Sequence, residues 1–178
     1  ARGVQPLTHF SLYGRLALRE IPELNRSLTL SAAIPLDLPP HPRLLLTREM
    51  LPEIMAKVQR YDWARARYDK ILREADKWVD KTIQIPDRGG QWPQYYVCKE
   101  HNVRLRTLSD TQHQCPVDGK IYTGEPYDSV VILFKHNALV AAARNLGLAY
   151  QFTGEWRYAA KCAEILVGYA DKYLTYPL

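Results

Sequence analysis

The sequence has 178 residues, 47% apolar and 24% charged, proportions of an ordinary globular chain that exclude wholesale disorder. Lys and Arg number 24 against 19 Asp and Glu, a formal charge of +5, and these charges are scattered rather than run together. That suits an acidic partner and lacks the basic stripe of a nucleic-acid reader, so nucleic acid is not an expected partner. No run reaches the roughly 18–20 consecutive apolar residues of a membrane span; the longest candidate, residues 130–150, is broken by Lys135, His136, Asn137, Arg144 and Asn145. The aromatics are 12 Tyr and 4 Trp against 3 Phe, rings with polar edges that suit a sugar-binding cleft or a core with a wet rim.

Residues 1–38 alternate weakly between apolar and polar, as in His9-Phe10-Ser11-Leu12-Tyr13 and Ser27-Leu28-Thr29-Leu30-Ser31, and are predicted to be the short strands of a leading β-domain's tail. Residues 39–46 follow as a stiff connector, introduced by Pro35, Pro39, Pro40 and Pro42. The period then changes to helical over residues 47–178. Thr47 is the expected N-cap of a first helix, with Glu49 and Pro52 near its start. Asp62 is expected to cap a second, whose Ala64, Tyr68, Ile71, Leu72, Ala75, Trp78 and Val79 share one face. Pro86, Gly89, Gly90 and Pro93 make residues 83–93 a loop.

A β excursion is predicted over residues 95–122, with strands at Tyr95–Val97, Val103–Arg106 and Lys120–Tyr122. Asp128 is expected to cap a long helix over about residues 129–152, stopped by Thr153-Gly154, and a further helix runs from Glu155 to about Tyr173. The two form an antiparallel hairpin. Apolar residues cover most of the circumference of the 129–152 helix, so neighbours are expected on most sides. Both chain ends read as cut, which leads us to expect a piece of a longer polypeptide.

Two short segments carry metal-ligand chemistry. Cys98-Lys99-Glu100-His101 and Cys115-Pro116-Val117-Asp118-Gly119 each have the spacing that folds backbone around a tetrahedral ion, and His113 is a further donor. The candidate set is Cys98, His101 and Cys115 with His113 or Asp118, holding a structural zinc. A metal-free hairpin and a Cys98–Cys115 disulfide are the alternatives. Three cysteines exclude a closed disulfide framework, and Cys162, flanked by alanines, reads as a buried thiol. Tyr127, His136 and Asn137 are candidate substrate-binding residues, His136 as a proton carrier and Asn137 with Lys135 as carboxylate binders; the plainer alternative puts Lys135 and His136 on a wet helix face. No nucleophile elbow, phosphate loop, dinucleotide fingerprint or zinc-protease motif occurs.

The segment His41-Pro42-Arg43-Leu44-Leu45-Leu46-Thr47 resembles the entry to the helical domain of heparinase II/III-like polysaccharide lyases. The resemblance continues through Trp92–Cys98, Cys115–Asp128, His136-Asn137 and Leu146–Gly154, and so covers residues 41–178, about three quarters of the chain. It implies the first helices of an incomplete (α/α) toroid carrying a zinc-ribbon-like hairpin insert. Relatives with this insert often have a second Cys in each knuckle, where this chain has His101 and Asp118. The implied activity is β-elimination of uronic-acid polysaccharides of glycosaminoglycan or alginate type, in a secreted or periplasmic setting. The main catalytic residues would lie beyond residue 178, with no organic cofactor. The other readings are a uronate epimerase or glycoside hydrolase on the same toroid, and a non-catalytic TPR-like binding module. The last draws on the texture of residues 148–163, but the pattern does not recur over 62–81.

Overall fold

A computed structural model describes Pro42 and residues 44–176. The chain divides into two compact units, Ala1–Leu45 and Leu46–Leu178. The strands expected over residues 1–38, half of the connector, and His41 and Arg43 of the entry motif lie outside the described residues. The second unit is mainly helical with a small antiparallel sheet. Its elements are α1 (Met50–Arg60), α2 (Asp62–Val79), a 3₁₀ turn (Pro93–Tyr95), β1 (Arg106–Thr107), β2 (His113–Gln114), β3 (Ile121–Tyr122), α3 (Tyr127–Thr153) and α4 (Trp156–Tyr173).

The helix starts differ from expectation in an instructive way. Neither Thr47, Asp62 nor Asp128 caps a helix through its side chain. Asp62 and Asp128 sit inside the first turn, where a carboxylate still favours the positive end of the helix dipole. Asp128 is not a cap because α3 begins before it, with Pro126 at the N-cap position, and one oxygen of its carboxylate meets His113 instead. The stop at Thr153-Gly154 is as predicted: Gly154 turns left-handed at φ 73° and its N–H closes on the Tyr150 carbonyl at 2.8 Å.

From that turn α4 runs back along α3. The Cys162 thiol donates to the Ala143 carbonyl at 3.3 Å and the Tyr169 hydroxyl meets His136 at 2.7 Å, contacts seven residues apart in opposite directions on the two helices. Ala142, Leu146 and Ala149 of α3, all but inaccessible, form the main core with Ala75 of α2 and with Tyr158 and Ile165 of α4. The small alanines let the helices approach closely. Tyr158 is satisfied at the core's edge by donating to Asp76 at 2.7 Å. α3 is thus surrounded in part only, since Val140 is 63% exposed and Leu166, level with it on α4, is 58% exposed.

A second, smaller core lies where the excursion meets the start of α3: Tyr96, Cys98, Leu105, Cys115, Tyr127, Val130 and Val131. The sheet order is β1-β2-β3, with Arg106 opposite Gln114 and His113 opposite Tyr122. The excursion is where it was expected, but β2 was not foreseen because His113-Gln114 carries no apolar alternation. Tyr95 belongs to the 3₁₀ turn set by Pro93, leaving only a single bridge between Val97 and Arg104.

Residues 82–91 form a strap that joins α2 to the excursion across α3 and α4. Its carbonyls accept from side chains of both helices and of Tyr176, just past the end of α4: Lys172 to Ile85 at 2.7 Å, Tyr176 to Pro86 at 2.9 Å and His136 to Arg88 at 3.0 Å. Close approach is made possible by glycine at two points. A Cβ on Gly90 would stand 2.4 Å from the Leu133 backbone nitrogen, and one on Gly168 would stand 2.4 Å from the Ile85 side chain. Gly90→Ala is expected to destabilise the unit by about 2 kcal/mol, read as a lower denaturant midpoint. Gly89→Ala, with open space around it, is expected to leave that midpoint unchanged or slightly raised.

Candidate metal centre

The Cys98 knuckle is a tight turn: Asn102 N–H bonds the Cys98 carbonyl at 2.8 Å, and Asn102 takes a left-handed φ of 51°. The Cys115 knuckle repeats the device, with Gly119 N–H on the Cys115 carbonyl at 3.0 Å and Gly119 at φ 76°. Each knuckle turns its cysteine inward, and both thiols are free and fully buried. Cys98 Sγ, His101 Nδ1 and Cys115 Sγ all lie within 4.8 Å of one another, a group compatible with a metal site.

The edges of this triangle carry more information than its size. For a tetrahedral ion with bonds of about 2.3 Å to sulfur and about 2.0–2.1 Å to nitrogen, S and N ligands sit about 3.5–3.6 Å apart. The observed separations are 3.5 Å from Cys98 Sγ and 3.6 Å from Cys115 Sγ to His101 Nδ1. Asp118 Oδ2 stands 3.7 Å from the same nitrogen, but it falls in a second group with Glu100 and His101 and not in the triangle of the two thiols and the imidazole. His113 does not join them. Its Nδ1 meets the Tyr96 hydroxyl at 2.7 Å and its Nε2 meets Asp128 Oδ1 at 2.8 Å, so neither ring nitrogen is free to ligate. Neither candidate for the fourth position is in the group itself: Asp118 approaches it only through His101, and His113 is engaged elsewhere.

The protonation states fit cation capture. The Tyr122 hydroxyl, 3.2 Å from Cys98 Sγ, stabilises the thiolate, and with help from His101 brings the Cys98 thiol from 9.0 down to about 6. The same contact pushes Tyr122 far above its ordinary value, and the thiolate raises His101. Burial raises Cys115, while the Lys120 backbone N–H holds the Asp118 carboxyl low. The metal-free group thus favours charge on Cys98, His101 and Asp118 and disfavours it on Cys115. An entering cation displaces the protons of His101 and Cys115. The Val117 N–H, 3.4 Å from Cys115 Sγ, supports the charge that then develops there.

The three candidate substrate-binding residues are not brought together. Tyr127 is buried in the smaller core between Tyr122 and His113, with no face open to a ligand. His136 is a brace: a carbonyl can only accept, so Nε2–H donates to Arg88, and Nδ1 meets the Tyr169 hydroxyl at 2.7 Å. Only Asn137 is exposed. A cleft of about 850 Å³ lies beside them instead, lined by Trp78, Lys135 and Lys172 among others. Tyr96, Thr107 and Asp128, which support the knuckles, were not singled out by sequence as a group, because no spacing pattern links residues that meet only across the fold. No family model, no curated protein and no solved structure matches the chain.

In the metal-free protein, titrating the ultraviolet absorbance of thiolate is expected to show one cysteine ionising with a midpoint near 6, so the signal is present above that pH and lost below it. Tyr122→Phe removes the hydroxyl that stabilises the thiolate and is expected to move the midpoint upward.

Proposed function

We propose that this chain is the opening part of the (α/α) toroid of a polysaccharide lyase acting on uronic-acid polymers, and that its excursion is a zinc-ribbon-like clip holding a structural zinc. The observation that carries the lyase reading is the order of elements. Two helix pairs, α1–α2 and α3–α4, pack through α2 and are separated by a thiol–imidazole knuckle, which is the order that the resemblance to heparinase II/III-like lyases implies. The exposed Val140 and Leu166 would meet further helices of the same polypeptide in such a toroid.

The donor set supports zinc in particular. Two thiolates and an imidazole, each sulfur at the tetrahedral separation from the imidazole nitrogen, suit a borderline-soft ion without a geometric preference of its own. With Asp118 drawn in from beside His101 as the fourth ligand the coordination shell would be closed, and the zinc would supply folding energy and no chemistry.

β-Elimination makes separate demands. The proton beside a uronate carboxylate is a poor acid until that carboxylate is neutralised, after which a base takes it and an acid protonates the leaving oxygen. Tyr127 and His136, already committed inside the fold, are not offered for these steps. The cleft offers Lys135 and Lys172, paired with the largely exposed Asp110 and Asp87. A sugar carboxylate can replace such surface partners at a cost of about 1 kcal/mol or less. In an exported setting the acidic partner would be the polymer itself.

The test of the activity is incubation of the full polypeptide with alginate and with glycosaminoglycans. The expected result is an unsaturated uronate at new chain ends, read by its ultraviolet absorbance; absence of that product from every uronate polymer overturns the reading. For the metal, elemental analysis of the purified protein is expected to find zinc near one equivalent, lost in Cys115→Ser. A folded sample free of metal would remove the zinc.

A further inference from the structure

Two residues before each cysteine of the metal group stands a buried polar ring, Tyr96 before Cys98 and His113 before Cys115. The two rings touch edge to face with centroids 5.2 Å apart and share a hydrogen bond of 2.7 Å. The line continues at both ends: the Thr107 hydroxyl lies 2.6 Å from the Tyr96 oxygen, and Asp128, in the first turn of α3, lies 2.8 Å from His113 Nε2. With Asp128 a carboxylate and His113 neutral, every proton has one place. Nε2–H donates to Asp128, Tyr96 O–H donates to Nδ1, and Thr107 O–H donates to the Tyr96 oxygen. Among the described residues no buried side-chain polar atom is left without a partner.

Burying a phenol, an imidazole and part of a carboxylate in a core this small is costly unless each is satisfied, and a satisfied network specifies one arrangement where apolar packing would tolerate several. This network joins the three segments that must be fixed for the metal group to exist: the approach to Cys98, the approach to Cys115, and α3. Among the described residues the other side-chain hydrogen bond between the excursion and α3 is that of Lys135 to Asp110, at the exposed surface. The Arg88 links to Ser129 and Glu125 belong to the strap.

We propose that Asp128, His113 and Tyr96 are positioning residues for the metal site, and that through them zinc binding and the seating of the first turn of α3 strengthen each other. The inference rests on the zinc reading above. Because coupling between two sites is reciprocal, a change in α3 that loosens His113 must lower metal affinity, although Asp128 does not touch the metal. Supporting residues of this kind typically alter metal affinity by about 10–100-fold when lost.

The experiment uses the full polypeptide. Zinc affinity is measured by competition with a chromophoric chelator for wild type, Asp128→Asn, Tyr96→Phe and a control, Tyr158→Phe, whose hydroxyl bonds Asp76 in the other core. Deuterium uptake over residues 127–134 is followed with and without zinc. We expect Asp128→Asn to bind zinc about tenfold more weakly, Tyr158→Phe to lose thermal stability without losing affinity, and zinc to slow uptake over 127–134 in wild type but not in Asp128→Asn. Asp128→Asn binding as tightly as wild type, or uptake that ignores zinc, overturns the linkage alone. Wild type that takes up no zinc overturns both the linkage and the reading beneath it. Should Asp128→Asn fail to fold, Tyr96→Phe, which keeps the ring and loses only the hydroxyl, decides by the same affinity criterion.

Discussion

The long helix α3 carries apolar residues around most of its girth, and a helix of that kind is stable in water only when other elements cover it. α2 and α4 cover the stretch from Leu139 to Ala149, and the excursion covers Tyr127, Val130 and Val131. Each of the two cores is therefore built on the same helix. The strap of residues 82–91 follows from this, since the chain must cross α3 and α4 to pass from one core to the other.

The two cores differ in how they are held. The larger closes with alanines and leucines at close range and needs polar contacts only at its margin, such as Tyr158 on Asp76. The smaller core has strands of two residues each and buries two cysteines, a histidine and two tyrosines. A core so small and so polar cannot hold itself by apolar burial, and small units in that position generally rely on a cross-link, a metal or a fixed hydrogen-bond network. Here the thiol–imidazole group and the Thr107–Tyr96–His113–Asp128 line lie side by side in it, one suited to a cation and the other complete without one.

His136 shows how the same residue type reads differently in sequence and in space. A Lys-His-Asn run on an apolar helix invites a catalytic reading, since imidazole is the usual proton carrier near neutral pH. In the fold its two nitrogens are fixed by a carbonyl that can only accept and by a hydroxyl, so the ring ties the strap to the α3–α4 hairpin. His113 was read as a metal donor for its nearness to Cys115 in sequence. It instead occupies the position behind the ligands, where an imidazole with both nitrogens engaged can order two segments at once.

Local chemistry made much of this legible in the sequence. Helical periodicity located α2, α3 and α4 to within a few residues, Gly154 marked the turn between the last two, and cysteine spacing pointed to Cys98, His101 and Cys115. Those features depend on neighbours within one turn or knuckle, which the sequence writes down directly. Tertiary structure alone decided that both His113 nitrogens are engaged away from the metal group, that Asp128 meets a histidine rather than capping its helix, and that Tyr127 is enclosed. Each of these depends on groups 15 or more residues apart meeting at hydrogen-bond distance or in one core, and a linear pattern carries no record of which distant partner a side chain will reach first.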